Sequence, residues 1–175
     1  MSGQSLLSLG ALTLLSFLTL AANRSVSSSY SNQLQIKQMV SAISEAHNLL
    51  EEIGSTAFDQ AVAKDMDADS TNKSKTIDQY KGKKTSDFTL PSKLGPETGE
   101  HRPFNDVDDY NGLHFKSWGM LSMDSLDLRV EVFYVDPLNP SNRVNNVQTA
   151  AKKVAVTIFP AGINDTLKIQ QVIYF

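Results

Sequence analysis

Hydrophobic and polar positions change pattern along the chain. Ser5 to Ala22 carries no charged side chain, and the first charge in the sequence is Arg24. From Val26 the pattern turns one-faced. Apolar residues fall at Val26, Tyr30, Leu34, Met39, Ile43, Ala46, Leu50 and Ile53, with Ile36, Val40 and Leu49 beside them. Steps of three and four are the helical signature. Gln35, Lys37, Gln38, Ser44, Glu45, Glu51 and Glu52 fill the opposite face, and no proline occurs before Pro91. The spacing predicts one helix of roughly 50 residues, with Gly54 as its stop and a resumption of the pattern through Phe58 and Val62. Its expected weak point is Ser25 to Ser31, where serine hydroxyls compete for backbone hydrogen bonds and the helix bends, melts or gives way to a linker.

The last third alternates with period two. Leu126, Leu128, Val130, Val132 and Tyr134 alternate with Asp127, Arg129 and Glu131, and Val154, Val156 and Ile158 with Lys153, Ala155 and Thr157. Leu167, Ile169, Ile173 and Phe175 form a third run, and Leu113 to Trp118 a weaker fourth. Such alternation predicts an antiparallel sheet of about four strands with one packed and one wet face. The apolar strand faces need a cover, and the one-faced second half of the helix is the candidate. The fold class is therefore α+β. Its divisions are an apolar helix half at 4–25, an amphipathic half at 26–62, a polar loop at 63–111 and a sheet at 112–175. Helix and sheet are expected to pack through Ile36, Val40, Ile43, Leu50 and Ile53 against Val130, Val132, Val154, Val156 and Ile158.

The uncharged segment decides the class of protein. Eighteen helical residues span roughly 27 Å, enough to cross a bilayer's hydrocarbon core. A cleaved secretion signal would carry a basic start and a small-x-small junction. Met1 to Gln4 hold no Lys or Arg, and the best junction, after Ala21, has Thr19 in place of a small residue. Small residues Ser8, Gly10, Ala11 and Ser16 permit close helix approach.

Composition removes other classes. The 175 residues carry a net charge of -3, so no basic face for nucleic acid is expected. With no cysteine there is no disulfide or thiolate metal site. No glycine-rich phosphate loop, nucleophile elbow or acid/base pair is present, so an enzyme is not expected. His47, His101 and His114 are isolated, and His47 is expected to pack near the apolar face. Lys73, Lys75, Lys81, Lys83 and Lys84 make a solvated loop face or, alternatively, a surface for anionic partners.

Calcium is the cofactor for which oxygen ligands exist. Asp65, Asp67 and Asp69 alternate like the start of a calcium loop, but Ser70 replaces its glycine and Thr76 its closing carboxylate. Asp106, Asp108, Asp109 and Asn111 cluster more tightly. The commoner role for such a cluster is a turn in which Asp and Asn cap backbone amides, with Phe104 and Tyr110 anchoring it to the helix. The alternative is a calcium site.

Several stretches carry a resemblance. Helix, variable loop and antiparallel sheet, in that order, resemble the type IV pilin family, including pseudopilins. Gly3-Gln4-Ser5-Leu6-Leu7 is similar to a prepilin processing junction, which implies a short leader at 1–3 cut after Gly3. Phe104-Asn-Asp-Val-Asp-Asp-Tyr-Asn-Gly112 resembles a phrase found before the sheet of minor pilin-like proteins, and Lys152 to Ile158 is similar to their third strand. Where the family carries Glu at the fifth mature position, this chain has Ser8 counted from Gln4, or Ser5 counted from Met1, and neither forms the ion pair to a neighbour's amine. Some minor, tip-type members share that departure. The resemblance implies a subunit that sits in the inner membrane and is handled by processing and assembly machinery. It then joins copies of itself or related subunits in an extracellular filament. Leu6, Leu7, Leu9, Leu12, Leu14, Leu15, Phe17, Leu18 and Leu20 would form the filament core. Two other readings stay open: a secreted adhesion domain with a cleaved signal, and a monomeric membrane-anchored domain.

Overall fold

The structure is a computed structural model that describes residues 3–63, 84–99, 102, 104–118, 125–161 and 165–175. One helix, α1, runs from Gly3 to Gly54, 52 residues and roughly 78 Å long. It is followed by strands β1 (His114–Trp118), β2 (Ser125–Tyr134), β3 (Ala151–Pro160) and β4 (Leu167–Tyr174). The strands pair antiparallel in the order β1-β2-β3-β4, each with its neighbour in sequence. The α+β architecture expected from the hydrophobic pattern is the one observed.

The helix does not break at its serines. Ser25 to Ser31 are helical throughout. Each serine costs no more than about 0.7 kcal/mol of helix propensity, and helix propagation is cooperative once both flanks are formed.

The C-terminal part of α1 lies on the sheet. Ala42, Ala46, Leu49, Leu50 and Ile53 pack with Leu126, Leu128, Val130, Val132, Val154, Val156 and Ile158 in one core. Alanines at the crossing let the helix backbone approach the strands closely. The sheet's other face is covered by Arg129 over Phe159 (4.9 Å) and Arg143 over Phe133 (4.3 Å). These stacked guanidiniums shield aromatic rings while staying wet.

Past Gly54 the chain turns under the sheet. Residues 60–63 are helical. Phe58, Phe88 and Phe175 form a three-ring cluster with centroids 5.0–5.6 Å apart. Ala57 pairs with the segment around Asp106, its amide donating to Asn105 O (3.2 Å) and its carbonyl accepting from Val107 N (2.9 Å). Asn111 then closes the turn into β1, with Oδ1 accepting from Val132 N (2.9 Å) and Nδ2 donating to Leu94 O (3.0 Å). Gly112 follows at φ 82, a conformation that side chains with a Cβ disfavour.

Candidate functional site

Two features of the chain have chemistry that the fold alone does not need. The first is the N-terminal half of α1. Leu7, Leu9, Leu12, Leu14, Leu15, Phe17, Leu18 and Leu20 are all exposed, from 50% at Leu20 to 76% at Leu7. The helix is long and apolar enough to cross a membrane, and none of its most apolar window is buried within the chain. A signal sequence would share those properties. Three of its hydroxyls are folded back: Thr13 Oγ1 donates to Gly10 O (2.8 Å), Ser16 Oγ to Leu12 O (2.8 Å) and Thr19 Oγ1 to Leu15 O (2.6 Å). In an apolar medium those donors would already be satisfied, which would remove most of the cost of burying a hydroxyl.

The second feature is a buried charge cluster at the junction of helix end, loop and sheet. Lys152 lies on β3 with its side chain fully buried. Its ammonium donates to Phe58 O (2.7 Å), Asp59 Oδ2 (2.8 Å) and Asp108 Oδ1 (2.7 Å). An ammonium has three protons, so all are used. Asp59 also accepts from Thr89 N (3.0 Å to Oδ2), Ala61 N (3.2 Å to Oδ1) and the Tyr134 hydroxyl (3.2 Å). Burial, with Asp59 and Asp108 nearby, pushes the Tyr134 phenol well above its usual range.

Beside this cluster sit two further buried carboxylates, Asp106 and Asp109. Asp106 Oδ1 accepts from the amides of Asp108 (2.9 Å) and Asp109 (3.3 Å), the capped turn that the sequence favours here. Burial first, then the Asp108 and Asp109 carboxylates, push the Asp106 carboxyl up to about 9. Asp109 Oδ2 accepts from Asp106 N (3.3 Å). One carboxylate oxygen each from Glu97, Asp106 and Asp109 lie within 4.8 Å of one another.

The turn is also tied to the helix. Phe104 and Tyr110 meet edge to face at 4.9 Å. The Tyr110 hydroxyl donates to Glu52 Oε1 (2.9 Å), and Arg102 grips the same carboxylate through two nitrogens. The Arg102 hydrogen bond holds Glu52 below the usual carboxylate range, against the opposing effect of burial. Phe104 and Tyr110 thus anchor the turn to α1 as the sequence suggests.

Other sequence expectations need correction. Leu50, Ile53, Val130, Val132, Val154, Val156 and Ile158 pack helix on sheet, but Ile36, Val40 and Ile43 are exposed. The covered face runs through Ala42, Ala46, Leu49 and Ile53, and Ile43 lies about 100° round the helix from Ala42. Ile36 and Val40 precede the buried part of the helix altogether. His47 is likewise exposed, paired with Glu51 one turn on (3.2 Å). Among the calcium candidates, Asp108 is taken by Lys152, while Asp106 and Asp109 stay together and Glu97 joins them. Asp65, Asp67 and Asp69, with His101 and Lys73 to Lys83, lie outside the described residues. Of the processing pair, Gly3 begins α1, and the side chains of Gln4 and Leu6 lie outside the described residues.

Sequence reasoning missed Lys152, Asp59 and Glu97. Lys152 was within reach: it shares parity with Val154, Val156 and Ile158, so period two places it on the packed face. Its need for buried acceptors then points to aspartates elsewhere in the chain. Nothing local marks Glu97. Compared with protein-family models, curated proteins and solved structures, the chain matches none.

Proposed function

We propose that this chain is a pilin-like structural subunit. Its apolar helix half holds it in the inner membrane before assembly. The same half then forms the core of an extracellular filament with copies of itself or related subunits. The observation that carries this reading is the eight exposed apolar side chains from Leu7 to Leu20, on a helix continuous with the one that packs on the sheet. A helix that only anchored a domain would need no fixed geometry between its apolar half and the head. Here one unbroken helix runs from the apolar half into the core, so each subunit added to a filament would place its head at a set position on the surface. A head-to-tail contact that does not close on itself grows such a filament. The resemblance of Phe104 to Gly112 and of the Gly3-Gln4 junction to pilin-like proteins supports the same reading. The resemblance also implies a processing peptidase acting after Gly3 and an assembly machine in the membrane.

The test is the intact mass and N-terminal sequence of protein sheared from the cell surface, together with Leu14→Asp. A chain that starts at Met1 or Gln4 and keeps Leu6 to Leu20 is expected in the filament fraction. Leu14→Asp is expected to remove it from that fraction, because a lone carboxylate in an apolar bundle is costly. A chain starting near Ala22 would make this a secreted domain. An intact chain found only in membranes, unaffected in its association by Leu14→Asp, would make it a monomeric anchored domain.

A further inference from the structure

Lys152 holds an amine against a carboxyl in a place that excludes water. Its side chain is fully buried, and those of Asp59 and Asp108 are nearly so. Nζ lies 2.7 Å from Asp108 Oδ1 and 2.8 Å from Asp59 Oδ2, with the ring centroids of Phe58 and Tyr134 4.7 and 5.3 Å away. The two aspartates differ in their other partners. Asp59 accepts from Thr89 N, Ala61 N and the Tyr134 hydroxyl. Asp108 is hydrogen-bonded instead to the carboxyl of Asp106. Burial first, and then that bond, push the Asp106 carboxyl up to about 9, so it carries a proton at neutral pH. A bond that favours the protonated form is one in which Asp106 donates and Asp108 accepts. A nucleophile, an electrophile and an acid therefore meet in one dry cluster.

From this arrangement we propose that Lys152 and Asp108 condense into an amide, an internal crosslink between β3 and the turn that the folded chain forms by itself. Asp59 Oδ2 takes one proton from the ammonium and leaves a neutral amine, the nucleophilic form of lysine. The nitrogen adds to Asp108 Cγ while Asp106 passes its proton to an Asp108 oxygen, where negative charge develops. The nitrogen then returns a proton to Asp106. The proton held by Asp59 follows to the same Asp108 oxygen, which leaves as water. One C–N bond forms and one C–O bond breaks. Ammonium and carboxylate become amide and water, Asp59 and Asp106 end as they began, and nothing is oxidised or reduced. Folding holds the reacting groups in contact, which raises their effective concentration. The product also removes two buried charges, whose desolvation is costly. The bond would tie β3 to the turn that Tyr110 fastens to α1. It would form in the head whatever the helix does, so it stands apart from the proposed function.

The experiment holds the full chain folded in detergent micelles at pH 7 and measures its intact mass over time, followed by tryptic mapping. The mass is expected to fall by one water. Lys152 is expected to escape trypsin and to appear joined to the peptide that contains Asp108. Chain sampled before the bond forms still holds the ion pair, and is the reference for charge variants at this cluster. Lys152→Met should keep its full sequence mass. Asp106→Asn has no acid proton to give, and should slow the loss of water by about a hundredfold or more. Should Asp106→Asn fail to fold, the wild-type mass and map decide alone. A folded wild-type chain that keeps its full mass would overturn the proposal. So would a water loss mapped to any other pair, Lys152 with Asp59 included, or an unchanged rate in folded Asp106→Asn.

Discussion

Replacing Lys152 by Met tests the buried charge cluster directly. Met keeps the unbranched stem that lies against the rings of Phe58 and Tyr134, where the ammonium sits 4.7 and 5.3 Å from the two centroids. It removes the charge and the three hydrogen bonds. Asp59 would still hold amide protons from Thr89 and Ala61 and the Tyr134 hydroxyl. Asp108 Oδ1 would lose its ammonium and stay buried. Removing one partner of a buried pair costs about 3–5 kcal/mol, because it leaves an uncompensated charge. Total stabilities are only about 5–15 kcal/mol. Urea unfolding at pH 7, followed by near-ultraviolet circular dichroism in detergent, should therefore show the midpoint falling by at least about 1 M, given slopes of about 1–3 kcal/mol per M. Lys152→Met with Asp108→Asn should recover most of the loss, since the second change neutralises the stranded carboxylate. A single-variant loss below about 1 kcal/mol, or a double variant no better than the single, would refute the reasoning.

Three more outcomes follow from the packing and the turn. Ala46→Leu places a large side chain where α1 is fully buried against the sheet, and should cost about 1–3 kcal/mol in the same unfolding assay. Gly112→Ala should cost about 1–2 kcal/mol from its left-handed backbone alone, because an added Cβ would meet no neighbouring atom. Glu52 is held below its ordinary value of 4.5, so its stabilising contribution is complete above that pH and fades as pH falls through its lowered value. Thermal unfolding of wild type and Glu52→Gln should therefore converge on acidification and separate at neutral pH.

Much of this architecture was legible before any coordinates. Period two marked all four strands, and period 3.6 marked α1 to its end at Gly54. The turn from Asp106 to Asn111 was legible too, because Asp and Asn side chains cap amides locally. The helical face that docks was harder. Ile36, Val40 and Ile43 form as good an apolar stripe as Ala42, Ala46 and Leu49, and only the position of the sheet decides between them. The charge cluster was the least legible part. It joins Asp59, Asp108 and Lys152 across as many as 93 residues of sequence, and no local spacing encodes such a meeting. Glu97 reaches its partners through a loop of irregular backbone, where periodicity carries no information.

The strand order has a kinetic side. Each ladder of the sheet joins strands adjacent in sequence, so the meander closes only short stretches of chain, and short closures are fast. The contact of Lys152 with Asp59 is different, because it seats the sheet on the end of α1 over a long separation. Its loop-closure entropy is spent on one event, rewarded at once by a buried ion pair and an aromatic cluster. The order this favours is a sheet that forms by itself and then docks on the C-terminal part of α1. Docking of head on rod then becomes the step where the chain commits to a single shape.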